Sequence, residues 1–156
     1  RLYRYLAHQC GDARLAEELY QDIWLRIINA RADYEVSAKF TTWLYRIAHH
    51  RLIDHYRKNA REQLRHWESE DESIDDYPAP AGETPSAQVE RLQLKARIAS
   101  ALAELPAAQR EAFLMAEEGG MTLEEIANAT GTGRETVKSR LRYALGKLRH
   151  ALKDLL

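Results

Sequence analysis

Residues 122–148 read TLEEIANATGTGRETVKSRLRYALGKL, and the fold is decided by how this stretch is read. Thr122 with Glu125 three residues on has the form of a capping box, opening a short helix that carries Leu123, Ile126 and Ala127 on one face. Gly131 stands where the chain needs a residue free to take positive φ and end that helix. Thr132 with Glu135 repeats the capping pattern and predicts a second helix, whose apolar positions Val137, Leu141, Ala144, Leu145 and Leu148 fall three and four apart. A small Ala127 lets the two helices cross closely, Val137 fills the angle, and the pair reads as a helix-turn-helix. Arg134, Glu135, Lys138, Ser139 and Arg142 are left on the outer face, the composition that reaches phosphates and base edges in a major groove. Residues 134–153 hold seven basic side chains and one acid. A solvated hairpin with a basic face is the plainer alternative, against which stand the caps, the corner glycine and the core spacing together.

Outward from this motif, the formal net charge of −1 over 156 residues conceals segregated blocks. Glu68 to Glu90 contains eight acids, no base, and Pro78, Pro80, Gly82 and Pro85. Such a block cannot bury a core and reads as a flexible linker. It divides the chain into two small helical domains, 1–66 and 85–156, joined by an acidic linker over 67–84. On the C-terminal side, Thr84-Pro85 predicts a capped helix start, with Val89, Leu92, Ala96, Ala99 and Leu102 as its seam. Leu105-Pro106 starts another helix with Phe113 and Leu114 facing inward, ended at Gly119-Gly120.

On the N-terminal side, Leu2 and Leu6 share a helical face with Tyr3 and Tyr5 beside it, and Gly11 breaks the pattern. Asp12 predicts the cap of a helix from about Ala13 to Ala32, with Leu15, Leu19, Ile23, Ile27 and Ala30 inward. Its other side shows Glu17, Glu18, Gln21, Asp22 and Trp24; an exposed tryptophan beside carboxylates is the mark of a protein-binding surface, although a charged face alone is commonly only solvated. After a polar loop from Asp33 to Lys39, the run FTTWLYRIAHHRLIDHYRK (40–58) sets Phe40, Leu44, Ile47, Ala48 and Leu52 as a core stripe. Trp43, Tyr45, Arg46, His49, His50, Arg51, Tyr56, Arg57 and Lys58 interleave aromatics with bases over the rest. Aromatic faces for unstacked bases and cations along a backbone are the chemistry of a single-strand platform, unless Trp43 and the tyrosines are simply core. His49, His50 and His55 share no helical face, so no metal site is read from them.

Composition bounds the rest. A single cysteine, Cys10, excludes a disulfide framework and a thiolate zinc site and suits a reducing cytosol. No apolar run approaches the ~18 residues of a membrane span. The sequence begins at Arg1 already inside an amphipathic pattern, which predicts that residues precede it. Scarce Gly and Pro and no β-branched alternation make the chain all-α.

The runs LPAAQREAFLM (105–115) and GMTLEEIANATGTGRETVKSRLRYALGKLR (120–149) resemble region 4 of bacterial RNA polymerase sigma factors. LAEELYQDIWLRI (15–27) and the Phe40 run resemble region 2, and two such regions with a short linker are similar to the extracytoplasmic-function (group 4) sigma factors. The resemblance implies a factor, not an enzyme and without a cofactor, that binds core RNA polymerase and directs promoter-specific initiation in the cytoplasm. It implies that Glu18, Leu19, Gln21 and Asp22, with Trp24, dock the coiled coil of the largest polymerase subunit. It implies that the loop Tyr34–Thr42 captures a flipped −10 base, with Lys39, Phe40, Trp43, Arg46, His50 and Arg51 along the melted strand. Duplex −35 DNA would be read by Arg134, Lys138, Ser139, Arg140, Arg142 and Tyr143, and an anti-sigma factor is implied as a further partner. Two rivals stand beside it. A response-regulator-type activator has a very similar helix-turn-helix, but residues 1–66 lack the strand alternation of a receiver domain. A nuclease would need carboxylates held rigidly, and here they cluster in the linker.

Overall fold

The computed structural model describes residues 1–34, 39–63 and 85–153; the predicted linker, the Thr84 cap and most of the polar loop lie outside them. Among the described residues the chain forms α1 (Leu2–Cys10), α2 (Ala13–Asn29), α3 (Phe40–Gln63), α4 (Pro85–Ala103), α5 (Ala107–Glu117), α6 (Leu123–Thr130) and α7 (Arg134–Ala151), with a 3-10 turn at Arg31–Asp33 and no strand. The all-helical expectation is met.

Local chemistry sets most of the helix ends. Gly11 takes φ 73° and closes α1, and the Asp12 carboxylate accepts from the Leu15 amide at 3.0 Å to open α2. Pro106 stands before α5, whose end is followed by Gly120 at φ 61°. Thr122 and Glu125 make both bonds of the capping box, at 3.3 and 2.8 Å, and Gly131 turns the corner at φ 65°. The second capping box does not form. Gly133, extended at φ −75°, is the residue that precedes α7, so Thr132 stands one residue too early to cap it; its hydroxyl bonds the Thr130 hydroxyl at 3.0 Å.

Leu2, Leu6, Leu19 and Ile23 pack α1 on α2, and Ile126, Val137 and Ala144 pack α6 on α7. The two halves are not held apart. α1 packs on α5, and α3 packs on α6. This contact rotates the buried face of α3: Tyr45, Ala48, His49 and Leu52 are interior, whereas Phe40, placed in the core stripe by its spacing, is 44 % exposed. A helix covered from two sides buries a wider arc than one apolar stripe, so Tyr45 and His49 go inward although they sit among bases in the sequence. Tyr45 meets Tyr5 edge-on, ring centroids 5.1 Å apart.

Three further expectations are corrected. Val89 and Leu92 of the α4 seam are exposed, since only the C-terminal end of that helix, at Ala101 and Leu102, reaches the core. Leu145 is exposed on α7 while Ala144 and Leu148 are buried, because α5 and α6 cover only one side of that helix. Trp24 is half-buried against Tyr20, centroids 6.1 Å apart, and so is not the exposed anchor its polar neighbours suggest.

Candidate nucleic-acid interface

The glycine corner fixes which side of α7 looks outward. With Val137, Ala144 and Leu148 buried, Arg134, Lys138, Arg142 and Tyr143 are exposed, and Ser139 and Arg140 lie half-buried on the flank. Arg134, Lys138 and Arg142 fall four apart, one ridge of cations along the helix. Glu135, which sequence reasoning placed on this face without a role, lies between two of them, 3.3 Å from the Arg134 guanidinium and 3.6 Å from Lys138 Nζ. The Arg142 guanidinium lies over the Tyr143 ring at 5.1 Å, which stiffens both side chains. Among the described residues, everything the ridge bonds to belongs to α7 itself, so none of the other described elements must move for it to meet DNA.

The candidate single-strand face lies on α3 and the turn before it. Tyr34, Phe40 and Trp43 form one aromatic cluster, Tyr34 to Trp43 at 5.0 Å and Phe40 to Trp43 at 5.9 Å. Arg46 and His50 continue it one and two turns on, both exposed, with His50 Nδ1–H donating to the Arg46 carbonyl at 2.8 Å. Beside His50 a cleft of about 450 Å³ opens between the end of α2 and α3, lined by Arg26, Asn29, Ala30, Ile47 and His50. The structure thus brings Phe40, Trp43, Arg46 and His50 together. It takes two expected members elsewhere. Lys39 turns to Glu125 of α6, Nζ to Oε1 at 2.8 Å. Arg51 is largely covered and its Nε bonds the Asp22 carboxylate of α2.

Asp22 also accepts from Arg26 Nε at 3.2 Å. Partial burial pushes its pKa up, but the bond and charge of Arg51, with Arg26, outweigh this and hold the carboxyl below its ordinary range. On the same helix Glu18 and Gln21 are exposed, Gln21 bonding Glu17 at 3.1 Å. Leu19 is fully buried and supports this face from beneath instead of belonging to it. Leu25 and Ile28, 60 % and 52 % exposed, extend the Glu18–Gln21–Asp22 stripe by one and two turns. Sequence reasoning missed them; their i+3 and i+7 spacing from Asp22 and Gln21 was the available signal.

A third polar site joins the halves. Glu111 of α5, 9 % exposed, accepts from the Tyr5 hydroxyl of α1 at 3.0 Å and lies 2.7 Å from His49 Nδ1 of α3. Burial, then the charge and bond of Glu111, push the Tyr5 hydroxyl well above its ordinary pKa, so it is a fixed donor. Gln9 Nε2 donates to the Ala107 carbonyl at 3.3 Å, and Arg4 pairs with Glu118 at 2.8 Å. Sequence reasoning set His49 among the outward aromatics and bases of α3 and gave Glu111, Gln9, Arg4 and Glu118 no role. Nearby, burial pushes the Cys10 thiol up to about 11.

Residues 1–62 match the family model described as Sigma-70 region 2, and residues 101–150 match that described as Sigma-70, region 4. The chain is 35 % identical to the ECF RNA polymerase sigma factor RpoE of Cereibacter sphaeroides over 93 % of its own length and 76 % of that protein's. It is 32 % identical to the ECF RNA polymerase sigma factor SigL of Mycobacterium tuberculosis, covering 99 % and 84 %. Among solved structures, the sigma factor RpoE of Bartonella quintana in complex with the anti-sigma factor NepR superposes with a TM-score of 0.82 at 27 % identity, over 97 % of this chain and 89 % of that one. CnrH in complex with the cytosolic domain of CnrY shares the fold, with a TM-score of 0.67 at 23 % identity, over 98 % and 80 %.

Proposed function

The chain belongs to the extracytoplasmic-function RNA polymerase sigma factors, which direct promoter-specific transcription initiation, and from that premise we propose how its surfaces divide the work. The outer ridge of α7, Arg134, Lys138 and Arg142 with Tyr143, and Ser139 and Arg140 on its flank, reads duplex DNA at the −35 element. Phe40, Trp43, Arg46 and His50 stack and hold the −10 strand, joined by Lys39 and Arg51 once these leave their carboxylates. Glu18, Gln21 and Asp22, with Leu25 and Ile28, dock core polymerase, while Leu19 and Trp24 support the stripe. Residues 1–66, 67–84 and 85–156 act as polymerase and −10 domain, linker and −35 domain. The chain works by binding and leaves catalysis to polymerase, so its place is the cytoplasm. An anti-sigma factor is a fitting further partner, since the similar sigma factor RpoE of Bartonella quintana was solved with one.

The observation that carries this reading is the division of α7, with Val137, Ala144 and Leu148 buried and its cationic ridge exposed. Two promoter contacts by one chain also account for two separate basic helices. The deciding experiment is transcription in vitro with core polymerase on a promoter library. The wild-type chain should select a discrete −35 sequence, and Lys138→Ala or Arg142→Ala should relax that preference. An unchanged preference in both variants would sink the assignment of this ridge.

A further inference from the structure

Glu135 divides the cations of α7 unevenly. It lies 3.3 Å from the Arg134 guanidinium and 3.6 Å from Lys138 Nζ, so both of these already share a carboxylate. Arg142, one turn beyond Lys138, is exposed, and among the described residues no acid pairs with it. It meets an aromatic face instead, its guanidinium carbon 5.1 Å from the centre of the Tyr143 ring. Such a contact consumes none of the N–H donors of a guanidinium, and it narrows the orientations open to a long side chain. Arg142 therefore presents a free donor fork that is already oriented.

A free fork on a groove-facing helix selects one base. In the major groove guanine alone sets two acceptors side by side, O6 and N7, and an arginine fork meets both at once. Adenine offers an acceptor beside a donor, cytosine a donor, and thymine one acceptor beside its methyl group. A lysine also reaches the guanine acceptors, but as a point charge without a planar fork, and Lys138 is shared with Glu135. Tyr143, 53 % exposed, adds the kind of apolar surface that packs on a thymine methyl. Stacked base pairs are ~3.4 Å apart, so two side chains in contact at 5.1 Å address adjoining pairs. The plainer account is a surface contact that only shields the arginine stem, and it predicts no dependence on particular base atoms.

We propose that Arg142 and Tyr143 act as one reader of a two-pair step in the −35 element. Arg142 bonds O6 and N7 of a guanine, and the Tyr143 ring packs on the methyl of a thymine in the adjoining pair. This rests on the reading of the outer α7 ridge as the −35 surface and adds the bases that it selects.

The first test needs no variant. Holoenzyme assembled from the full chain and core polymerase is bound to the promoter it prefers in the library, with single atoms changed in the −35 duplex. Replacing the guanine with 7-deazaguanine, which lacks N7, should lower affinity about tenfold. Replacing the adjoining thymine with deoxyuridine, which lacks only the methyl, should lower it about threefold. Arg142→Lys keeps the charge without the planar fork, so it should keep the salt dependence and lose discrimination against 7-deazaguanine. Tyr143→Phe should keep the response to deoxyuridine, and Tyr143→Ala should lose it. A preferred −35 sequence without adjoining guanine and thymine, a wild-type chain indifferent to either modified base, or full 7-deazaguanine discrimination in R142K overturns the pair as a base reader. Failure of the underlying reading looks different: Lys138→Ala and Arg142→Ala would then both leave the whole −35 preference unchanged, and the proposal would fall with it.

Discussion

The two helices proposed to meet DNA are held in opposite ways. Among the described residues, Arg134, Lys138 and Arg142 of α7 bond only within their own helix, through Glu135 and Tyr143, and the face is ready as it stands. Around α3 two of the expected cations are bonded to other elements, Lys39 to α6 and Arg51 to α2, while Arg46 stays exposed. A preformed duplex reader needs only approach and pairing. A face whose cations are bonded to other elements needs those bonds released before it can bind with all of them. The contrast teaches that exposure of a base is a weaker guide to function than what must be released for it to act.

The comparison breaks most readily in the core. Tyr45→Ala, at a site 2 % exposed, should cost about 3–5 kcal/mol in denaturant unfolding, whereas Tyr143→Ala on exposed α7 should stay within ~0.5 kcal/mol. If the two cost the same, α3 is not the helix buried from two sides. Next in size are the readers themselves. Trp43→Ala should lower −10 opening by about 1–3 kcal/mol per lost stack, seen as lost permanganate reactivity of −10 thymines, with closed complexes intact and helicity confirmed first. Arg142→Ala should cost a similar ~1–3 kcal/mol at the −35 element if it contacts a base, while a cation that meets only phosphate should, when removed, lower the slope of log K against log salt by about 0.9.

A smaller effect sharpens the third surface. Leu25→Asp should weaken association with core polymerase more than about threefold, ~0.7 kcal/mol, and leave binding of −35 DNA unchanged. Equal affinity for core would mean that the stripe is only solvated. The smallest expected effect is the acid response of Glu125. Bonding to Lys39, ahead of the Thr122 amide, holds Glu125 below its ordinary 4.5 against a weaker upward push from burial. A depressed pKa stabilises the fold fully above the unfolded-state value and loses that contribution as pH falls through the folded-state value. Denaturant unfolding should therefore show this part of the stability fading as pH drops below about 4.5, and the E125Q chain should lack that component. A component lost with rising pH would contradict the sign.

How much of this was legible in the sequence depends on how local the signal is. Asp12, the Thr122–Glu125 box and Gly131 act on backbone groups within three residues, and each stands where the pattern puts it. Periodicity names a face but not what covers it. Nothing near Tyr45 or His49 announces that α5 and α6 lie over α3, so these two were set among the outward bases. Val89 and Leu92 keep a seam spacing on a helix whose N-terminal half has too little packed against it to hide them. Thr132 stands one residue before the Gly133 that precedes α7, a one-residue shift in the helix start that spacing alone does not settle. Of the polymerase-docking set, Leu19 and Trp24 were assigned by motif, and burial separates them from Leu25 and Ile28, which the motif does not contain.

The exposed stripe of α2 has one more consequence, and it concerns order in time. Glu18, Gln21, Leu25 and Ile28 are uncovered in the same structure in which Lys39 Nζ is paired with Glu125. On the reading proposed for these surfaces, polymerase is met first, in an encounter that needs no rearrangement, and release of Lys39 follows as a slower first-order step. In a rapid-mixing experiment the first phase should quicken with polymerase concentration and the second should not.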